Sequence, residues 1–170
     1  MLEQLAPKAT QTILELGAGG GQTAIALAQR GHRVTMVELL EDSCHHAQSL
    51  SNYYKVPLAI IQEDFYALTL EQSFDLVCYF DSFGIGTDVD QKILLRRIAN
   101  WLSPNGVAVI EVGATWFWGG IASGKTTDLG ACMRQYGFDE IESRLIDRWW
   151  RHEVPEEVVY QSLRCYTPAD

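Results

Sequence analysis

The stretch Ile13-Leu14-Glu15-Leu16-Gly17-Ala18-Gly19-Gly20-Gly21-Gln22-Thr23-Ala24 decides how this chain folds. It passes from an apolar run into four glycines within five positions, and then into a segment with the apolar spacing of a helix. This order is typical of a buried parallel strand, a tight turn and the start of a helix. Because glycine has no Cβ, such a turn lets the backbone approach a ligand, and the first free N–H groups of the helix point towards it. The stretch therefore predicts a cofactor site.

Strands and helices are predicted to alternate from this turn to about residue 112. We expect strands over 12–16, 33–38, 58–61, 74–81 and 107–112, and helices over 23–30, 40–54 and 88–102. Pro104-Asn105-Gly106 is expected to form the turn into the fifth strand. Because strands that alternate with helices pair in parallel, the prediction is a doubly wound α/β sheet, mostly parallel, that binds its ligand at the carboxyl ends of the strands.

The last third of the chain follows a different pattern. Residues 115–127 are rich in glycine and tryptophan without periodicity and are predicted to be a loop, whereas residues 128–136 are predicted to form a short helix. Two β-like runs, 140–151 and 158–166, are expected to form an antiparallel C-terminal strand pair.

Two arrangements of this strand pair are open. In one, the pair completes the main sheet. In the other, which we slightly favour, it caps the sheet after strand five, and Thr167-Pro168-Ala169-Asp170 starts a helix of a longer, truncated chain. We expect a single domain over 1–170, with a cofactor-binding core over 1–112 and a substrate-side segment over 113–170. An unpaired sheet edge in the second arrangement would favour pairing between subunits in a homodimer.

The composition favours a soluble acidic protein. The chain of 170 residues is 47% hydrophobic and carries 13 basic against 22 acidic side chains, a formal net charge of -9. This charge repels a phosphate backbone or an anionic membrane, so no nucleic acid and no membrane are expected as partners. The four cysteines lie far apart without a metal-binding spacing, so we expect reduced thiols and no metal site. The sequence shows no signal peptide or membrane span, and the predicted location is cytoplasmic.

The glycine turn departs from the dinucleotide-binding frame G-x-G-x-x-G, because Gln22 stands where the last glycine belongs. Its form is E-x-G-x-G-x-G. In this pattern, and in the order of segments over about 12–112, the chain resembles the class I S-adenosylmethionine-dependent methyltransferases of the bacterial small-molecule type. The resemblance implies a Rossmann-like fold with S-adenosyl-L-methionine as cofactor. It also implies that the turn wraps the amino-acid and ribose parts of the cofactor through Glu15, Gly17, Ala18, Gly19 and Gly21.

Other positions agree with this resemblance. Glu38, which ends strand two and precedes Leu39, is implied to accept hydrogen bonds from both ribose hydroxyls. Asp64 is implied to contact the adenine amino group, with Phe65 covering the ring. Asp81 ends strand four, where the family binds the methyl group and substrate. Three roles are open for Asp81: orienting the substrate beside the cofactor, accepting a proton as a catalytic residue, or capping the following turn.

The substrate side is indicated by aromatic residues. Asp81-Ser82-Phe83-Gly84 replaces the Asn-Pro-Pro-Tyr type of motif found in family members that methylate nucleobase or glutamine nitrogens. Related small-molecule enzymes place substrate-covering segments after strand five, where the tryptophans of this chain are concentrated. Aromatic side chains offer apolar contact and can hold a cation. We therefore predict a substrate pocket that contains Phe83, Trp116, Trp118 and Trp149.

The leading prediction is methyl transfer from S-adenosylmethionine to a small-molecule acceptor by direct displacement. A sulfonium supplies its own leaving group, so the protein mainly has to align the acceptor and exclude water. One alternative is a cofactor-binding or assembly module without turnover, because no strong base is evident. Another is NAD-dependent oxidoreduction, which fits the fold class but not the glycine frame. The residues do not indicate the acceptor atom.

Overall fold

A computed structural model gives the structure of the chain and describes residues 11–122 and 124–170. The chain separates into two compact units. The first runs to Phe80 and resumes over Lys92–Ile110, and the second comprises Asp81–Gln91 and Glu111–Asp170. Each unit contains a hydrophobic cluster of its own.

Strands and helices alternate up to Val112, as the sequence predicts. They are β1 (Thr12–Leu16), α1 (Gln22–Gln29), β2 (Arg33–Glu38), α2 (Glu41–Tyr54), β3 (Ala59–Gln62), β4 (Phe74–Phe83), α3 (Asp88–Trp101) and β5 (Leu102–Val112). The strand order in the sheet is β3-β2-β1-β4-β5. Strand β1 pairs in parallel with β2 and β4, and β2 pairs in parallel with β3. The predicted doubly wound parallel sheet is confirmed.

Strand β1 anchors the core of the first unit. Its residues Ile13, Leu14 and Leu16 have no exposed surface, as expected for an interior strand that is covered on both faces. Ile13 packs in one cluster with Leu27 of α1 and Met36 of β2. Full burial of one such side chain stabilises the folded state by about 2 kcal/mol. This packing therefore fixes the end of β1, from which the glycine turn starts.

The second unit has a short helix and an antiparallel sheet. Its elements are α4 (Thr115–Ile121), β6 (Thr126–Asp128), β7 (Met133–Asp139), β8 (Arg144–Trp150) and β9 (Val159–Arg164). The strand order is β6-β7-β8-β9, and all three pairings are antiparallel. Leu145, Leu163 and Cys165 are buried at its centre, with Trp118 and Tyr136 packed against them.

The predicted antiparallel pair is confirmed as β8 and β9. It belongs to a sheet separate from the five-stranded one, so the arrangement in which it completes the main sheet is wrong.

The predicted helix over 128–136 is wrong, because this segment contributes to β6 and β7. Strand β7 pairs along its whole length with β8, from Met133 opposite Trp150 to Asp139 opposite Arg144. Pairing with a partner strand outweighs the weak helical spacing of an isolated segment, because strand stability comes from cross-strand contacts.

The predicted loop over 115–127 is wrong for 115–121, which form α4, and for 126–127, which belong to β6, and the predicted turn at 104–106 is also wrong. The Ala114 carbonyl accepts the N–H groups of Phe117 and Trp118, both at 3.1 Å, and so starts helix α4 in spite of its two glycines. Strand β5 begins directly after Trp101 and includes Gly106. A Cβ on Gly106 would lie 2.7 Å from the Phe74 carbonyl oxygen, so glycine there permits a close approach of two chain segments rather than a turn.

None of the helices in residues 11–122 and 124–170 combines the length and the apolar character needed to span a membrane.

Candidate functional site

The glycine turn after β1 has a backbone that only glycine adopts at low cost. Gly17, Gly19 and Gly21 have φ angles of 60°, 52° and 79°. A Cβ on Gly21 would lie 2.7 Å from the Ala47 Cβ, so this glycine lets the turn pack against α2. In contrast, a Cβ on Gly19 would meet no atom within 4 Å. Gly21 is therefore required by the fold, whereas the side of the turn at Gly19 is open to a ligand.

The Glu38 carboxylate holds the turn in place. One oxygen accepts the N–H of Gly19 at 2.8 Å, and the other accepts the N–H groups of Leu39 and Leu40, both at 2.9 Å. The residue is 8% exposed. Since a carboxylate can accept about four hydrogen bonds, these three bonds leave capacity for a ligand hydroxyl. The sequence predicted Glu38 as a ligand residue but not its bond to Gly19, which depends on the β1–β2 pairing.

Glu15 is a buried acid within β1. It is 4% exposed, and burial raises the pKa of its carboxyl to about 7, although hydrogen bonds from the Ala24 N–H and the Thr23 hydroxyl oppose the rise. Its second oxygen, Oε2, is buried without a hydrogen-bond partner. A buried acceptor without a partner destabilises a protein, and such groups are concentrated at functional sites.

The raised pKa of Glu15 predicts a pH-dependent stability. The folded protein, with this pKa at about 7, binds more protons than the unfolded chain, with an ordinary value of 4.5. The contribution of Glu15 to the free energy of unfolding is therefore highest below pH 4.5 and falls as pH rises to 7, by about 3 kcal/mol in total. This contribution is measured by chemical denaturation of the wild type and of Glu15→Gln from pH 5 to 8. We expect the variant to become progressively more stable relative to the wild type, and a constant difference would contradict the pKa.

The segment after β3 brings an aromatic ring to the turn. Phe65 is half-buried and meets the Tyr79 ring edge-on, with centroids 5.3 Å apart. A Cβ on Gly17 would lie 3.8 Å from the Phe65 ring and 3.5 Å from the Tyr79 ring. The Asp64 side chain is exposed and accepts the Tyr66 N–H at 2.8 Å. The glycine turn therefore lies close to both Glu38 and Phe65 within the first unit.

The second unit contains a cavity of about 440 Å³. Asp81, Phe83 and Trp118 line it. Asp81 has a φ of 60°, an unfavourable backbone for a residue other than glycine, and such strain is concentrated at functional sites. Trp116, which is 66% exposed, and Trp149 are not among the lining residues.

The sequence reasoning missed an ion pair in this cavity. The Arg134 guanidinium donates to both oxygens of Asp147, at 2.9 and 2.5 Å, and lies 4.6 Å from the centroid of the Tyr136 ring. Asp147 is 2% exposed, and its hydrogen bonds raise the pKa of Arg134. Arg134 and Asp147 meet diagonally across β7 and β8, so only the strand register could have revealed the pair.

A doubly wound sheet, a glycine turn between β1 and α1 and an acid at the end of β2 together define a nucleoside cofactor-binding protein. Residues 13–106 match the sequence model of a family described as the methyltransferase domain. The chain belongs to this family.

Individual relatives agree with the family. Cypemycin N-terminal methyltransferase from a Streptomyces species is 32% identical over 103 residues, which cover 59% of this chain and 41% of that protein. Ubiquinone biosynthesis O-methyltransferase from Rickettsia akari is 29% identical over 99 residues, or 58% of this chain and 39% of the relative. A crystal structure of an S-adenosylmethionine-dependent methyltransferase from Clostridium acetobutylicum superposes with a TM-score of 0.78 at 16% identity, covering 93% of this chain and 68% of the other. The matched segments thus span less than half of these two curated relatives.

Proposed function

We propose that the protein transfers a methyl group from S-adenosylmethionine to a small-molecule acceptor by direct displacement. The observation that carries the proposal is the glycine turn, which is fixed by Glu38 through the Gly19 N–H and is open at Gly19. The proposed cofactor-binding residues are Glu15, Gly17, Ala18, Gly19, Gly21, Glu38, Leu39, Asp64, Phe65 and Asp81.

The residues at the turn fit this cofactor. Its ribose offers hydroxyl donors, and Glu38 retains acceptor capacity beyond its three backbone bonds. Its adenine offers a flat apolar face and an amino group, for which Phe65 and Asp64 are suitable partners. The buried Glu15 oxygen that lacks a partner could receive a donor, directly or through water, when the site is filled.

The cavity of the second unit is the proposed acceptor site. A volume of about 440 Å³ is within the usual range for small-molecule sites. Aromatic side chains such as Phe83 and Trp118 would exclude water from the acceptor, and Asp81 would orient it or accept its proton. The net charge of -9 supports an acceptor other than nucleic acid. When bound, S-adenosylmethionine supplies a methyl group activated by its positive sulfur.

Calorimetric titration with S-adenosylmethionine and with its demethylated product tests the cofactor site. We expect saturable binding of both, with competition between them, because the proposed contacts do not involve the methyl group. Methyl transfer is then measured as release of the demethylated product with a panel of small amines, alcohols, thiols and an RNA transcript. No heat and no competition at millimolar ligand would reject the proposal. Binding without transfer to any acceptor would favour a module without turnover.

A further inference from the structure

The charges that line the cavity are unbalanced. Arg134 and Asp147 neutralise each other through their two hydrogen bonds. The other charged lining residues, Asp81 and Glu111, are both acids, and both are exposed. Among the described residues that line the cavity, no cation is therefore left to balance these two carboxylates. An acceptor with a positive charge would be attracted to the cavity, and an anionic one would be repelled.

The aromatic side chains that line the cavity also favour a positively charged acceptor. Trp118 packs between Phe117 and Tyr136, with ring centroids 5.2 and 5.4 Å away, and all three residues line the cavity. Because the Arg134 guanidinium already lies over the Tyr136 ring, the indole of Trp118 is the stronger remaining partner for a second cation. Carboxylates and aromatic rings are independent features, and both favour a cation attached to an apolar body.

We propose that the methyl acceptor is an amine, bound as its ammonium form between Asp81, Glu111 and Trp118. This inference rests on the proposed function. The ammonium nitrogen first loses a proton to one of the two carboxylates. Its freed lone pair then forms the new carbon–nitrogen bond while the methyl–sulfur bond breaks, and the electron pair of that bond stays on sulfur. The Arg134–Asp147 pair is already satisfied and supports the wall of the cavity.

Three probes with one skeleton test this inference: 2-phenylethylamine, 2-phenylethanol and phenylacetate. Their dissociation constants are measured by ligand-observed nuclear magnetic resonance, in the presence of the demethylated cofactor. We expect the amine to bind about tenfold more tightly than the alcohol, with still weaker binding of phenylacetate. Asp81→Asn and Glu111→Gln should each reduce the preference about threefold, as loss of one exposed charge contact of about 0.6 kcal/mol predicts.

Glu140→Gln is the matched control, since Glu140 is an exposed acid outside the cavity lining. It should leave the preference unchanged. The inference is overturned if the alcohol or the acid binds as tightly as the amine, if none of the three binds, or if the preference survives in the Asp81→Asn/Glu111→Gln double variant. Titration of each variant with the demethylated cofactor separates the two proposals: retained cofactor binding without amine preference rejects only the amine, whereas absent cofactor binding in the wild type rejects the proposed function.

Discussion

Glu38→Ala is expected to lower the affinity for S-adenosylmethionine more than a hundredfold and to lower the free energy of unfolding by about 3 kcal/mol. The carboxylate accepts three backbone hydrogen bonds, from Gly19, Leu39 and Leu40, and is the proposed partner of the ribose hydroxyls. A hydrogen bond to a charged group contributes about 1.5 to 3 kcal/mol, and the three act together. Calorimetric titration and urea denaturation measure the two effects.

Two further variants separate the causes of this loss. Glu38→Gln keeps one acceptor oxygen but places an amide opposite a backbone N–H, so it should fold and still bind weakly. Glu41→Gln removes an exposed acid from the first turn of α2 and serves as the charge control. Glu41→Gln should lower the free energy of unfolding by at most about 0.5 kcal/mol and leave the affinity for S-adenosylmethionine unchanged. If the Glu38→Ala variant folds and binds S-adenosylmethionine as tightly as the wild type, Glu38 does not belong to the cofactor site.

Gly19→Ala is expected to weaken cofactor binding tenfold to a hundredfold in a protein that remains folded. The added methyl meets no atom of the protein within 4 Å, so the fold should lose only about 1 to 2 kcal/mol through the positive φ of 52°. A methyl pressed into a filled ligand site costs about 1 to 3 kcal/mol, which corresponds to the expected loss of affinity. The same calorimetric titration measures this loss.

Gly31→Ala provides the matched control for this substitution. Gly31 also has a positive φ, 89°, and open space around the position of a Cβ, but it lies at the end of α1, away from the glycine turn in sequence. We expect a comparable loss of stability with normal cofactor affinity. If both alanine variants bind the cofactor like the wild type, the open side of the turn at Gly19 does not face the cofactor.

The amino-acid sequence by itself determined the order of strands and helices up to Val112 and the position of the glycine turn. These features have local causes: continuous apolar runs form strands covered on both faces, and glycine supplies backbone angles that other residues avoid. The roles of Glu15, Glu38 and Phe65 were implied by the resemblance to class I methyltransferases, and they stay predictions.

Only the tertiary structure decided the second unit and the charge of its cavity. Strands β6 and β7 form because β8 pairs with β7, and a single segment does not carry that information. The Arg134–Asp147 pair depends on strand register, and so does the bond from Gly19 to Glu38. The sequence predicted a substrate pocket with Phe83, Trp116, Trp118 and Trp149, and of these the cavity of the second unit contains Phe83 and Trp118. Contacts between residues far apart in the chain arise only when strands have paired, so local patterns predict the glycine turn but not the ion pair in the cavity.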